Sequence, residues 1–103
     1  MVSPSTAPVA GAASTSTVDA RHPQWVIQSF EFFLDVMATA GVPVEVVNLD
    51  GADHTLTDVD GSFEAYVDAD DATLLTIDSP GTYAVWCRIH PDMRGTVVVE
   101  AVP

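Results

Sequence analysis

Hydrophobic and polar residues alternate along most of the chain from Trp25 to Val102, and a period of two is typical of β-strands with one buried face. Turn residues, mainly Gly, Pro and Asp, interrupt the alternation about every ten residues. The predicted strands span residues 25–30, 34–38, 43–48, 55–58, 63–67, 72–78, 82–87 and 96–101. Short strands at this spacing predict an all-β fold, a Greek-key β-sandwich of about eight strands.

The segment 26–37 is ambiguous, because its apolar residues also recur at the spacing of a helix face. They are Val26, Phe30, Phe33, Leu34 and Met37. We interpret the segment as strands, since the period of two dominates the rest of the chain. On that interpretation Met37 is expected to fill space in the core, as a methionine in a strand usually does.

The alternation also predicts which side chains of the last two strands face the core. Tyr83, Val85 and Cys87 share one face of their strand. Val97 and Val99 share one face of the last strand and are expected to lie beside them. The single cysteine would then lie at the rim of the core, shielded from water and close to a loop.

The chain has 103 residues, of which 48% are apolar, and this is enough for one domain with one core. Residues 1–22 are rich in Ser, Thr, Ala and Pro, a composition that buries too little surface to order itself. We expect a flexible leader at 1–22 and a folded domain at 23–103. The leader resembles the spacer that follows an export or lipid-anchor signal, so we expect an exported protein, although no signal and no apolar run of membrane-spanning length is present in this sequence.

Fifteen Asp and Glu residues against three Arg and no Lys give a net charge of −12. Nucleic acid is therefore excluded as a partner, because each phosphate contact requires a cation. The acidic residues are expected to form a general solubilising field, which would also steer a basic partner at low salt. Members of that field in the middle of the chain are Asp58, Asp60, Asp68, Asp70 and Asp71.

One short segment carries a group of metal-ligand side chains. Cys87, His90 and Met93 follow the spacing C-x2-H-x2-M, directly after one predicted strand and before the next. Thiolate, imidazole and thioether are soft or borderline ligands, and Pro91 and Gly95 shape a tight loop around them. A single cysteine excludes an internal disulfide, a zinc site of four cysteines and an iron–sulfur cluster held by cysteines alone.

His54 is the candidate for a fourth ligand, since it lies at the start of a predicted strand, directly before residue 55 and after an Asp-Gly turn, and a sandwich can bring that strand next to the loop. Two imidazoles and one thiolate with a weak axial thioether form the ligand set of a type 1 copper site. We therefore predict one Cu(I)/Cu(II) ion bound by His54, Cys87, His90 and Met93. His22 is the rival histidine and is expected to be exposed to solvent at the edge of the leader.

The segments that carry these residues resemble those of the blue copper proteins, the cupredoxin family. Residues 80–100 resemble the copper loop and closing strands of amicyanins, including the two-residue gap between His90 and Met93, which is longer in plastocyanins and pseudoazurins. Residues 46–55 resemble the segment that delivers the first histidine. The resemblance runs over roughly residues 26–101 and implies a small sandwich that carries single electrons.

Two positions depart from the family pattern. Ile89 stands where amicyanin-like loops usually have proline, so the loop is expected to be less rigid. Thr55 stands where the residue after the first histidine is commonly asparagine, which braces the two ligand loops near the cysteine sulfur. The Thr55 hydroxyl is expected to make the same brace less firmly.

The resemblance implies an electron carrier rather than an enzyme. Three histidines are too few for the trinuclear cluster of a multicopper oxidase, and one cysteine is too few for a binuclear copper site of the oxidase type. Two alternatives stay open. One is a copper storage or delivery protein with the same ligands, and the other is a metal-free immunoglobulin-like interaction domain in which Cys87 is buried.

The implied partners are a redox donor and a redox acceptor. The exposed edge of His90 is expected to lie within a small apolar patch, which is sufficient because electron-transfer encounters are small and weak. That patch would consist of Ile89, His90, Pro91 and Met93. A resemblance to plastocyanin implies a second docking place at Trp86, directly before the cysteine. We expect the protein to be a monomer.

Overall fold

The computed structural model describes residues 22–102, which form nine β-strands and no helix. In chain order the strands are Gln24–Gln28 (β1), Glu31–Phe33 (β2), Ala38–Thr39 (β3), Val44–Asn48 (β4), His54–Asp58 (β5), Glu64–Val67 (β6), Ala72–Leu75 (β7), Gly81–Trp86 (β8) and Arg94–Glu100 (β9). Within this range there is accordingly no helix long and apolar enough to cross a membrane. Apart from His22, the leader expected at 1–22 lies outside the described residues.

The strands pack face to face as two sheets. One sheet has the strand order β2-β1-β4-β7, and the other has the order β3-β9-β8-β5-β6. Neighbouring strands are antiparallel, except that β1 is parallel to β4 and β3 is parallel to β9. The predicted all-β sandwich is confirmed, and the part of the chain that the structure describes contains nine strands where about eight were expected.

The core lies between the sheets and is built by alternate residues of most strands, whereas all five residues of β5 are buried. The predicted inward faces of the last two strands are confirmed, since Val85, Cys87, Val97 and Val99 are at most 2% exposed. Tyr83 is half-buried and packs against the same core. Burying a valine side chain stabilises the fold by about 1.5–3 kcal/mol, so β8 and β9 fix both ends of the loop that carries the predicted ligands.

The strand predicted at residues 34–38 is wrong, because the chain there bends between β2 and the short strand β3. The indole N–H of Trp25 donates a hydrogen bond to the carbonyl of Val36 at 2.7 Å, which takes this oxygen away from a strand partner. The side chain of Leu34 packs onto the glycine of β9, where an added Cβ would lie only 2.8 Å from Leu34 Cδ1. Met37, which we expected in the core, is 51% exposed.

The end of the first predicted strand is also different. Ser29 and Phe30 form a two-residue turn between β1 and β2, and their φ angles are 56° and 58°. Two-residue hairpin loops favour this positive-φ conformation, which Asn-Gly usually supplies. For a residue with a large side chain the conformation costs on the order of 1–3 kcal/mol. Phe30 is therefore held in an unfavourable backbone conformation at one end of the sandwich.

Asp58 does not belong to the expected solubilising field, since it is only 4% exposed. Its carboxylate accepts hydrogen bonds from the backbone N–H groups of Asp60 and Ser62, at 3.3 and 3.0 Å, and from the Ser62 hydroxyl. The Ser62 hydroxyl contributes most to lowering the pKa of Asp58 below its ordinary 3.8, and burial acts in the opposite direction. The other residues named for that field are exposed: Asp60, Asp68, Asp70 and Asp71.

Candidate metal centre

One end of the sandwich brings together two histidines and the cysteine. His54 begins β5, Cys87 directly follows β8, and His90 lies in the loop from β8 to β9. Cys87 Sγ lies 3.9 Å from His54 Nδ1 and 3.7 Å from His90 Nδ1, and the donor atoms of the three residues lie within 4.8 Å of one another. Transition-metal bonds to nitrogen and sulfur of about 2.0–2.3 Å allow one ion between such donors.

Met93, the fourth predicted ligand, lies at the end of the same loop, and its side chain is 5% exposed. Two backbone hydrogen bonds close this loop. The Cys87 N–H donates to the Met93 carbonyl at 3.1 Å, and the Met93 N–H donates to the His90 carbonyl at 2.9 Å. The C-x2-H-x2-M spacing therefore corresponds to one closed turn at the rim of the core. The assignment of all four residues as ligands, His54 included, stays a prediction.

Asp50 orients the first histidine and was missed as a site residue. Its Oδ2 lies 2.9 Å from His54 Nε2, so the ring directs its other nitrogen, Nδ1, towards the cysteine. Histidine ligands commonly donate their second N–H to a carboxylate in this way. The N–H of Phe30 contributes most to lowering the pKa of Asp50 below its ordinary 3.8, with further contributions from Ser29 and His54 and an opposing one from burial.

The predicted brace at Thr55 is present. The Thr55 N–H donates to Cys87 Sγ at 3.3 Å, and the Thr55 hydroxyl accepts the N–H of Arg88 at 2.8 Å. A second hydroxyl, that of Thr57, lies 2.9 Å from the first and is also buried. An N–H directed at the sulfur favours the thiolate form that binds metals. The Thr55 hydroxyl thus makes the brace that we expected of it, with the Thr57 hydroxyl as a second partner.

Asn48 shapes the loop that leads to His54. It ends β4, is 1% exposed, and its Oδ1 accepts the N–H of Asp50 at 2.9 Å. Its Nδ2 lies 2.8–3.1 Å from three backbone carbonyls, those of Ala52, Val67 and Asp68. Since a buried amide is costly without such partners, this network fixes the course of the loop and the place where β5 begins. In the sequence, an asparagine after a strand signals only a turn.

Phe30 is the second site residue that the sequence did not reveal. Its ring centroid lies 4.9 Å from the ring centroids of both His54 and His90, in edge-to-face geometry. The two imidazole centroids are 5.0 Å apart. Phe30 also lines a cleft of about 400 Å³ on the surface, together with the loop residues Ile89, His90, Pro91, Asp92 and Met93.

His22, the rival histidine, is not part of the donor cluster that the described residues form. We expected it to be exposed, but it is half-buried. The carbonyl of Pro23 accepts the N–H of Glu45 at 2.9 Å, which ties the start of the described chain to β4. His54 is therefore the histidine that the fold brings to Cys87.

The donor set fits a copper ion. Thiolate and thioether suit Cu(I), and imidazole suits copper in both oxidation states. Within residues 22–102 the cluster contains sulfur and imidazole donors and no carboxylate, whereas calcium and magnesium prefer oxygen ligands. A β-sandwich with these donors beside its last loop has the architecture of a small blue copper protein.

A family model described as a cupredoxin-like domain matches residues 33–99 of this sequence. The chain therefore belongs to the cupredoxin-like family, and the family resemblance seen in the sequence is confirmed. No curated protein sequence matches the chain.

Solved structures of amicyanin are similar to this chain. The amicyanin from Paracoccus versutus (Thiobacillus versutus) is 28% identical over 81% of this chain and 85% of that chain, with a TM-score of 0.66. A reduced Cu(I) form of an amicyanin variant at pH 4 is 27% identical over 81% of this chain and 86% of that chain, with a TM-score of 0.67. The family, these neighbours and the donor set together support one type 1 copper ion.

Proposed function

We propose that this protein binds one type 1 copper ion and carries single electrons between a redox donor and a redox acceptor. The proposed ligands are His54, Cys87, His90 and Met93. The observation that carries the proposal is the approach of two imidazole nitrogens to one buried thiol, at 3.9 and 3.7 Å. When bound, the copper ion supplies a one-electron couple, and the protein supplies the surroundings in which that couple works.

Those surroundings are dry and held in place. His54 and Cys87 are 0% exposed, so the fold excludes water from the thiolate side of the site. The Asp50 carboxylate orients one imidazole, and the Thr55 brace holds the backbone beside the sulfur. Donors that are held in this way move little when the metal changes oxidation state, which favours fast electron transfer.

We place the main docking contact at the cleft beside His90. Ile89 and Pro91 are exposed, whereas Met93, which we expected in this patch, is buried beneath it. Phe30 adds a half-exposed aromatic ring from the turn between β1 and β2. The net charge of −12 favours a redox partner with basic groups around an apolar centre.

A contact at Trp86, the second docking place implied by the resemblance to plastocyanin, would suit a different partner. The ring is half-buried, and the guanidinium of Arg94 lies 5.6 Å from its centroid in a cation–π arrangement. Arg88, two residues further on, forms an ion pair with Glu64 at 2.8 Å. A partner at Trp86 would meet the guanidinium of Arg94, while the charge of Arg88 is balanced by Glu64, so this place suits a partner with acidic groups.

A visible absorption spectrum tests the copper site. The protein is loaded with Cu(II), oxidised and freed of excess metal, and we expect an intense blue band from thiolate-to-copper charge transfer. Cys87→Ala, treated in the same way, is the control and should be colourless. A colourless wild-type protein without bound copper would overturn the proposal and favour the metal-free interaction domain.

A copper storage or delivery protein would use the same ligands, and two measurements separate it from an electron carrier. A reversible reduction potential together with slow release of copper to a chelator supports electron transfer. Rapid release without a reversible couple supports delivery.

We further propose that the protein works outside the cytoplasm and as a monomer. The support is the family resemblance together with the Ser, Thr, Ala and Pro composition of residues 1–22. Fractionation of the source cells should place the protein outside the cytoplasmic fraction, and its recovery in the cytoplasm would contradict this assignment.

A further inference from the structure

The turn between β1 and β2 carries a large side chain where a glycine would fit more easily. Ser29 and Phe30 have φ angles of 56° and 58°, in a region that glycine enters freely and other residues enter rarely. The hairpin connection itself does not require an aromatic residue. Strained residues persist where their surroundings hold them, and they are concentrated at functional sites. The contacts of Phe30 therefore need an explanation.

Asp50 holds this turn. Its Oδ1 accepts the N–H of Ser29 at 2.7 Å, and its Oδ2 accepts the N–H of Phe30 at 2.9 Å. The same Oδ2 lies 2.9 Å from Nε2 of His54. The Asp50 side chain is only 11% exposed, while the two N–H groups that it accepts belong to exposed residues of the turn. One carboxylate thus connects the turn to the first proposed copper ligand.

The ring of Phe30 is what this arrangement brings to the site. It packs edge-to-face against both His54 and His90, with centroid distances of 4.9 Å and interplanar angles of 88° and 77°. Such geometry is favourable for aromatic pairs. The residue is 48% exposed, so one side of it covers the imidazoles and the other side faces solvent.

We propose that Asp50 and Phe30 form a shield over the proposed copper ligands. Phe30 is the barrier, which limits the access of water and small anions and restrains the rotation of the His90 ring. Asp50 is the positioning residue, because it holds the backbone of Phe30 and the imidazole of His54 at once. This inference rests on the proposed copper site and gives the strained turn a role in it.

The substitution Phe30→Gly separates the shield from a purely structural turn. Glycine relieves the backbone strain while the ring contacts are lost, so we expect the melting temperature of the copper-free protein to change little. Release of copper to a chelator should become about tenfold faster, because two aromatic contacts to the ligands are gone. Added azide should shift the blue band of this variant and leave that of the wild type unchanged.

Three further variants identify the cause. Phe30→Leu keeps an apolar barrier on the same strained backbone. Its rate of copper release should lie between those of the wild type and Phe30→Gly. Asp50→Asn cannot accept both N–H groups and should release copper about 10- to 100-fold faster. Asp70→Gly is the matched control, since Asp70 is exposed, has a φ of 56° and keeps its N–H bond to the Asp50 carbonyl. It should release copper at the wild-type rate.

A readout without copper completes the test. In the copper-free protein, the NMR shifts of the His90 ring protons should change in Phe30→Gly, because the ring current of Phe30 is lost. Unchanged shifts would overturn the contact itself.

The outcomes separate the shield from the proposed function. The shield would be overturned if the wild type were blue but Phe30→Gly released copper at the wild-type rate and its blue band did not shift with azide. The proposed copper site would be unaffected by that result. A colourless wild type would overturn both. If Asp50→Asn released copper at the wild-type rate while Phe30→Gly released it faster, the positioning role of Asp50 would be wrong.

Discussion

Thr55 joins the two chain segments that deliver the proposed ligands, although its own side chain is not among them. Its backbone N–H reaches the Cys87 sulfur, and its hydroxyl accepts the N–H of Arg88. The first bond survives any substitution other than proline, whereas the second depends on the hydroxyl. A change of this one side chain therefore tests the brace while the backbone bond to sulfur is kept.

We expect Thr55→Val to destabilise the protein by about 1–2 kcal/mol, because the Arg88 N–H and the buried Thr57 hydroxyl both lose a partner. Thr55→Ser keeps the hydroxyl, and its stability should stay close to that of the wild type. Thermal unfolding of the copper-free protein measures the loss, and the position of the blue band after copper loading reports any change at the sulfur. A valine variant with wild-type stability and spectrum would show that the brace has no influence on the site.

The residues of the site divide according to how far sequence can predict them. Cys87, His90 and Met93 stand out in the sequence as ligand candidates because seven consecutive residues contain all three, and the structure shows that their loop closes on itself. The roles of Asp50 and Phe30 depend on a contact between positions 20 residues apart. An Asp-Gly pair predicts a turn, but it does not reveal which backbone N–H groups the carboxylate accepts.

Among the strands, prediction succeeded where the alternation continues on both sides of a turn. The last two predicted strands agree with Gly81–Trp86 and Arg94–Glu100 to within two residues at each end. The strand predicted at 34–38 failed because a distant residue decides the local structure there: the indole of Trp25 binds the Val36 carbonyl. Local periodicity contains no information about such a contact.

The hairpin from β5 to β6 should be sensitive to acid through Asp58. The pKa of this carboxyl is lowered by the Ser62 hydroxyl and by the N–H groups of Ser62 and Asp60. A carboxyl with a lowered pKa in the folded state contributes stability above its unfolded value of 3.8, and this contribution disappears as the pH falls through the lowered value. The stabilisation is thus complete at neutral pH and is lost in acid.

We expect Asp58→Asn to lower the free energy of unfolding by about 1–2 kcal/mol at pH 7, because hydrogen bonds to a buried charge are replaced by bonds to a neutral amide. The difference from the wild type should shrink below about pH 4, where the carboxyl of the unfolded chain becomes protonated, and should disappear as the pH falls through the lowered pKa of the folded protein. Urea denaturation at several pH values measures both effects. Asp60→Asn, at an exposed position of the same turn, is the control and should change stability little. A difference for Asp58→Asn that stayed constant down to pH 2 would contradict the role of the charge.

Over the whole molecule, negative charge dominates, and the positive charges of the described part lie close to Trp86. Arg94 stacks over that ring, and Arg88 is paired with Glu64. The cleft beside His90, by contrast, includes Asp92 in its lining. The two docking places that we considered therefore differ in the sign of the charge that an approaching partner meets.

This difference predicts how electron transfer depends on salt. The range of electrostatic attraction falls from about 30 Å at 0.01 M ionic strength to about 8 Å at 0.15 M, so an acidic surface steers a basic partner mainly in dilute salt. We expect electron transfer from the reduced protein to a small basic cytochrome to slow by about tenfold or more over this interval, as measured by stopped-flow spectroscopy.

Two variants with the same net charge locate the contact. Asp92→Asn removes a charge from the cleft. Asp78→Asn removes a charge from the exposed segment before β8. Strand β8 begins at the end of the sandwich opposite the metal centre, so Asp78 lies far from the cleft. If the partner docks beside His90, Asp92→Asn should weaken the salt dependence more than Asp78→Asn. Equal effects would mean that the partner senses only the total charge of −12. A rate that increased with salt would contradict steering of a basic partner by the acidic surface, and would move the docking contact towards Arg94 and Trp86.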